Sequence, residues 1–120
     1  MDRAELGKSA EDIAAEHLRR HGLEVLTRNF RRRNGEIDIV ARAGEVLAIV
    51  EVRTRSSAVF GGAAASIDGW KRHKIIRATK QLLQQKKALA RLRVRFDVIV
   101  VHGADGAQPT VEWIQHAFDA

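Results

Sequence analysis

Two carboxylates in the first half of the chain interrupt strongly apolar stretches. Asp38 stands between Ile37 and Ile39, and Glu51 stands between Val50 and Val52. Burying a lone carboxylate is expensive unless an ion pair, hydrogen bonds or a metal compensates. Arg53 follows Glu51 by two positions, so in a strand both side chains emerge on one face. Directly opposed carboxylates about 5 Å apart repel unless a cation lies between them. Paired carboxylate oxygens of this kind suit Mg²⁺ or Mn²⁺. A cation beside such a site can bind a phosphate or offset its developing charge. Arg53 cannot act as a general base because it stays protonated, so a bound metal would have to activate the water. The same three residues also fit a buried ion-pair network without chemistry.

The elements that must position these residues are readable from periodicity and turn chemistry. Ser9-x-x-Asp12 predicts a capping box at a helix start, and Gly22 a stop; Ala10, Ile13, Ala14 and Leu18 recur between them at helical spacing. Strands are expected over 23–30, 37–41 and 46–52, with turns at Asn34-Gly35 and near Gly44-Glu45. The 46–52 segment is almost continuously apolar, as in a strand covered on both faces. The short Gly44-Glu45 connection makes the second and third strands a hairpin, which brings Asp38 and Glu51 to nearly opposite positions. A long helix is expected over 68–89, with Ile75, Ile76, Thr79, Leu82 and Leu83 facing inward, then strands over 94–101 and 111–114. The order α-β-β-β-α-β-β predicts an α/β fold with a central mixed sheet and two helices packed on it. The third and fourth strands, joined through the second helix, are expected to be parallel.

Composition narrows the partners. The chain has 120 residues, 45% of them hydrophobic, and carries a net charge of +6. That fits one domain over 1–120, and no repeat or linker divides it. With no cysteine, thiol nucleophiles, disulfides and cysteine-ligated metal sites are excluded. No apolar run reaches membrane-spanning length and no signal core follows the N-terminus, so a cytoplasmic protein without membrane contact is expected. The positive field favours a polyanion, nucleic acid first.

Several segments resemble a known family taken together: Gly7-x-x-x-Glu11 with Ala14-Ala15, Arg28-Asn29, Gly35-Glu36-Ile37-Asp38, Glu51-Val52-Arg53-x-Arg55, Phe60-Gly61, Lys71-x-x-Lys74-Ile75 and Arg95-Phe96-Asp97-Val98. In order and spacing, from about Gly7 to Phe118, they resemble the YraN-like family of predicted endonucleases. The Gly35–Asp38 and Val50–Arg53 segments resemble the core motif of the PD-(D/E)XK nuclease superfamily. The resemblance implies a restriction-endonuclease-like, three-layer fold similar in type to archaeal Holliday junction resolvases. It implies a divalent-metal-dependent endonuclease acting on a nucleic acid, DNA rather than RNA, with branched structures among the candidate substrates. Carried over, Asp38 and Glu51 are metal ligands, Glu11 is the helical carboxylate that joins such sites, and Arg53 fills the superfamily's lysine position. Arginine there departs from the superfamily pattern; Lys71 is one substitute, an ordinary solvated lysine being the alternative.

Arg31, Arg32 and Arg33 precede the first turn and suit phosphate contact. Arg55 and the one-signed face of the second helix, Lys71 and Lys74 foremost, extend that candidate surface. A non-catalytic nucleic-acid-binding module on the same fold is the second reading. A homodimer would supply the two sites that symmetric cutting of a duplex needs. Asp97 is expected to be structural, paired with Arg95 or a helix residue. His17 and His21 lack a third ligand. Phe60-Gly61-Gly62 is not a nucleotide-binding loop, though in the family reading it flanks the site. Trp70 and Trp113 could stack bases, with core or interface packing the expected role of both.

Overall fold

The computed structural model describes residues 3–55, 66–104, 106 and 108–120, with backbone alone over 3–9. The loop expected around Phe60–Gly62 lies outside the described residues. Helix α1 spans Arg3–Arg20, strands β1 Glu24–Arg32, β2 Gly35–Ala43 and β3 Val46–Arg55, helix α2 Gly69–Gln85, β4 Arg93–His102 and β5 Thr110–Phe118. The element order matches the sequence reading. The five strands form one sheet in the order β1-β2-β3-β4-β5. Strands β3 and β4 run parallel from Val46↔Arg93 to Arg55↔His102; the other neighbours are antiparallel.

Alternation along β3 and β4 builds a core on each face. Leu47, Ile49, Val98 and Val100 pack with Ile75, Ala78 and Leu82 of α2. Ala48, Val50, Ile99 and Val101 pack with Ala10, Ala14, Ala15 and Leu18 of α1. This is the three-layer arrangement expected for strands apolar on both faces. Continuing the same period, Glu51 and Arg53 fall on the α2 face.

Three local readings change. Helix α1 runs through Ser9, so Ser9-x-x-Asp12 does not start it; the preceding Arg3-Ala4-Glu5-Leu6 are good helix formers. Asp12 serves a tertiary contact instead, its Oδ1 accepting from Arg28 Nη2 at 2.6 Å. Helix α2 stops at Gln85, and a separate 3₁₀ turn covers Lys87–Leu89. At the first hairpin Arg32 pairs with Gly35, so the tip is Arg33-Asn34, with Asn34 at φ 60°.

Gly35 is required for packing rather than for the turn. A Cβ at that position would lie 2.9 Å from the Ala78 nitrogen and 3.0 Å from the Lys74 carbonyl oxygen. The start of β2 thus touches the backbone of α2, which sets the position of the helix. Gly22 behaves as read: it takes φ +85°, and Leu23 N–H donates to the Leu18 carbonyl, closing a Schellman turn.

Candidate active site

The hairpin register places Asp38 and Glu51 as foreseen, with one departure that creates the site. Strands β2 and β3 pair from Ala43↔Val46 up to Ile39↔Val50 and stop there. The next pair in the series would be Asp38 and Glu51. Instead the strands part, and Asp38 Oδ2 accepts a hydrogen bond from Val52 N–H at 2.8 Å. The side chain of Asp38 thereby replaces a ladder partner and is fixed at the mouth of the split. The face alternation of β2 slips at the same point: Ile37 and Val40 join the α2 core, while Ile39 and Ala41 join the α1 core.

Glu51 is only 5% exposed. Its Oε2 is buried and accepts no hydrogen bond. Burial first, and the neighbouring Asp38 carboxylate second, push its pKa up to about 8, against the opposing pull of Lys71. The compensation that a buried carboxylate needs is therefore incomplete. Two adjacent carboxylates, one holding a buried oxygen that accepts no hydrogen bond, are a hard-oxygen donor set that fits a divalent cation such as Mg²⁺ or Mn²⁺. Among the described residues no cluster of three metal-ligating side chains is found, so Asp38 and Glu51 are the two candidate acidic ligands there. Water and substrate oxygens would complete the shell, as is usual for Mg²⁺.

Helix α2 brings the cations. Asp68 caps it, accepting from Lys71 N–H at 2.8 Å, and the first turn carries no acidic residue. Lys71 Nζ lies 3.3 Å from Glu51 Oε2, an ion-pair contact, and also hydrogen-bonds Glu36. Burial alone would lower the Lys71 pKa, but Glu36, Glu51 and Asp38 together raise it, so the ammonium persists. The hydrogen bond from Lys71 holds the Glu36 carboxyl below its ordinary range. Arg53 is half-buried, and its Nε has no hydrogen-bond partner. Asp38, Glu51, Val52, Arg53, Asp68, Trp70 and Lys71 line one open cleft of about 450 Å³.

A second cleft adjoins it, lined by Arg31, Arg32, Asn34, Gly35, Glu36, Trp70 and Lys74. Of the basic candidates, Arg31 and Lys74 thus stand together here, with Lys74 Nζ 3.8 Å from Glu36. Arg32 is partly committed elsewhere, donating to Gln85 Oε1 at 2.7 Å and lying 4.1 Å over the Phe30 ring. Arg33 is exposed at the hairpin tip, and Arg55 is exposed at the end of β3.

Glu11 occupies a different setting. Its Oε1 accepts from Arg28 Nε at 2.8 Å and from Asn29 Nδ2 at 3.1 Å. Asn29, at φ 53°, falls between the pairs Arg28↔Ile39 and Phe30↔Ile37, hence beside Asp38. Glu11 therefore reaches the sheet one strand away from Asp38 and tethers α1 to the edge strand. Asp97 is structural, as expected: fully buried, it accepts two bonds from Arg95 at 2.9 Å, one from Trp113 Nε1 at 3.0 Å and one from His116 N–H at 3.0 Å. Trp113 is accordingly packed and bonded. Trp70 is 73% exposed, so of the expected core or interface packing the core part does not hold.

Glu36, Asp68 and Trp70 were not marked as site residues in the sequence. Glu36 could have been found, because it precedes Asp38 by two on one strand.

The model of the uncharacterised protein family UPF0102 matches residues 10–101, which include Glu11, Asp38, Glu51, Arg53 and Lys71. The chain belongs to this family. UPF0102 proteins similar over nearly the whole chain include one from Pseudomonas aeruginosa, 44% identical over 95% of this chain and 92% of its own length. One from Dechloromonas aromatica is 49% identical over 95% and 88%. One from Legionella pneumophila is 41% identical over 97% and 96%. These matches span nearly the whole chain, so the residues lining both candidate clefts lie inside the matched length.

Proposed function

We propose that this UPF0102 protein hydrolyses a phosphodiester bond in a nucleic acid, DNA foremost, with Asp38 and Glu51 holding Mg²⁺ or Mn²⁺. The observation that carries this reading is the buried Glu51 Oε2 beside Asp38, which accepts no hydrogen bond and meets the Lys71 ammonium at 3.3 Å, in a cleft that Arg53 and Lys71 line. A purely structural carboxylate would be expected to have full hydrogen bonding, as Asp97 has. The bound ion would supply an activated water and offset charge on the phosphate.

The chain's own residues do the rest. Asp38, locked by Val52 N–H, and Glu51 fix the ligand oxygens on two rigid strands. Arg53, whose side chain lines the cleft, donates from its guanidinium to a non-bridging phosphate oxygen. Lys71, held protonated by Glu36 and Glu51, orients the attacking water or a phosphate oxygen and stabilises developing negative charge. The basic first turn of α2 opposes its own helix dipole, a local cost that an incoming polyanion relieves.

A second reading, a binding module without cleavage, draws on the arginine at position 53 and on the Lys71–Glu51 ion pair already in place. Incubation of the purified protein with branched, nicked and single-stranded DNA, with Mg²⁺ or Mn²⁺, separates the two. Metal-dependent cleavage that disappears in Asp38→Asn and Glu51→Gln is the expected result. Absence of cleavage, or its survival in both variants, sinks the nuclease reading.

A further inference from the structure

Trp70 is the most exposed large apolar side chain among the described residues, at 73%. It lies in the first turn of α2, one residue before Lys71, and lines both clefts: the carboxylate cleft on one side, and the Arg31–Lys74 cleft on the other. An indole left in water on a rigid helix forgoes a substantial apolar gain, and nothing among the described residues compensates it. Gly69, which precedes it at the start of the helix, has no positive φ that would call for glycine. A Cβ at Gly69 would meet only the flexible end of Arg72, at 3.8 Å.

We propose that Trp70 stacks on an unpaired nucleobase beside the phosphodiester held at Asp38 and Glu51, while Arg31 and Lys74 take the backbone phosphates on the far side. This rests on the nucleic-acid reading of the cleft and names its substrate class: a strand with an unstacked nucleotide at a branch, gap or end. Inside a continuous duplex each base face is covered by its neighbours, so an indole plane finds no partner there. Aromatic stacking on single strands accepts any base, and cationic grooves beside such platforms track the backbone. The arrangement of one exposed indole between two cationic clefts matches that division of labour.

Binding is measured without cleavage, in the Asp38→Asn background and without divalent metal, so that it does not depend on the hydrolytic step. The probes are a single-stranded oligodeoxynucleotide, the same strand carrying abasic positions, and a blunt duplex of equal length. Circular dichroism confirms that Trp70→Ala and Trp70→Phe are folded, as expected for an exposed position. The single strand should quench tryptophan fluorescence, and the quench should vanish in Trp70→Phe, where Trp113 remains as an internal reference. Trp70→Ala should weaken single-strand binding by about tenfold or more, and Trp70→Phe by less. Affinity for the blunt duplex and the abasic strand should change by less than about twofold. Equal losses on single strand and duplex, unchanged single-strand affinity, or no binding of any probe overturns the proposal. Failure of cleavage with these binding results intact overturns the nuclease reading alone.

Discussion

The ammonium of Lys71 stands 3.3 Å from Glu51 Oε2 while Glu36 holds it from the other side. It is thus a fixed positive charge from helix α2 placed against a carboxylate from strand β3. If it contributes to the reaction, Lys71→Met should lower single-turnover cleavage about 10²- to 10³-fold, the loss typical of one preorganised transition-state donor. Lys71→Arg should recover part of it. Metal affinity, followed by Mn²⁺ titration, should not fall in Lys71→Met, because a competing cation is removed. Unchanged cleavage in Lys71→Met refutes the role.

In the nuclease reading proposed above, Arg53 stands where a lysine is expected. Arg53→Ala should raise KM and lower kcat together, by about tenfold or more in kcat/KM, since a charged phosphate contact disappears. Arg53→Lys should keep activity within about tenfold. A large gain in Arg53→Lys would mark the natural protein as a weakened nuclease and favour the binding-module reading.

Glu51 makes a pH prediction whose sign is fixed. Its folded-state pKa, about 8, is above its ordinary 4.5. Below pH 4.5 the group is neutral in both states and burial carries no penalty. Between those values the unfolded chain ionises while the folded chain stays protonated, so stability falls as pH rises through this window. Glu51→Gln should therefore raise the Tm of the metal-free protein, more at pH 8 than at pH 5. Mg²⁺ or Mn²⁺ should raise the wild-type Tm at pH 8 and leave that of Glu51→Gln nearly unchanged. A Tm gain that is independent of pH would show that Glu51 ionises normally in the fold.

Gly35→Ala should destabilise the protein by about 1–3 kcal/mol, the range for overpacking, in urea unfolding at constant m. The added methyl group meets α2 backbone, so relief requires the helix to move. Because α2 carries Lys71 and Trp70, activity should drop below what the loss of stability accounts for. A variant of full stability would place the helix farther from β2.

Much of the fold was legible because it rests on local signals: apolar runs for β3 and β4, the Gly44-Glu45 turn, and Gly22 as a helix stop. The facing of Asp38 and Glu51 followed from hairpin arithmetic alone. What sequence could not supply was tertiary. Asp38 bonding Val52 N–H requires knowing that the ladder opens after Ile39↔Val50. Asn34-Gly35 signalled a turn correctly, but the glycine answers to a helix that arrives much later in the chain. Asp12 resembled a cap residue until Arg28 claimed it. Core packing of Trp70 did not hold because aromatic character predicts burial only on average, and an exposed exception carries no local mark.

The contact at Gly35 has a historical side. Its closest neighbours include the Ala78 nitrogen and the Lys74 carbonyl oxygen, which are backbone atoms that no substitution removes. Most packing constraints can be renegotiated: one side chain grows as another shrinks. This one cannot, since trimming Ala78 to glycine would leave both backbone atoms in place. Any lineage descending from this chain must therefore keep position 35 bare for as long as α2 rests where it does, and drift there would first have to relocate the whole helix.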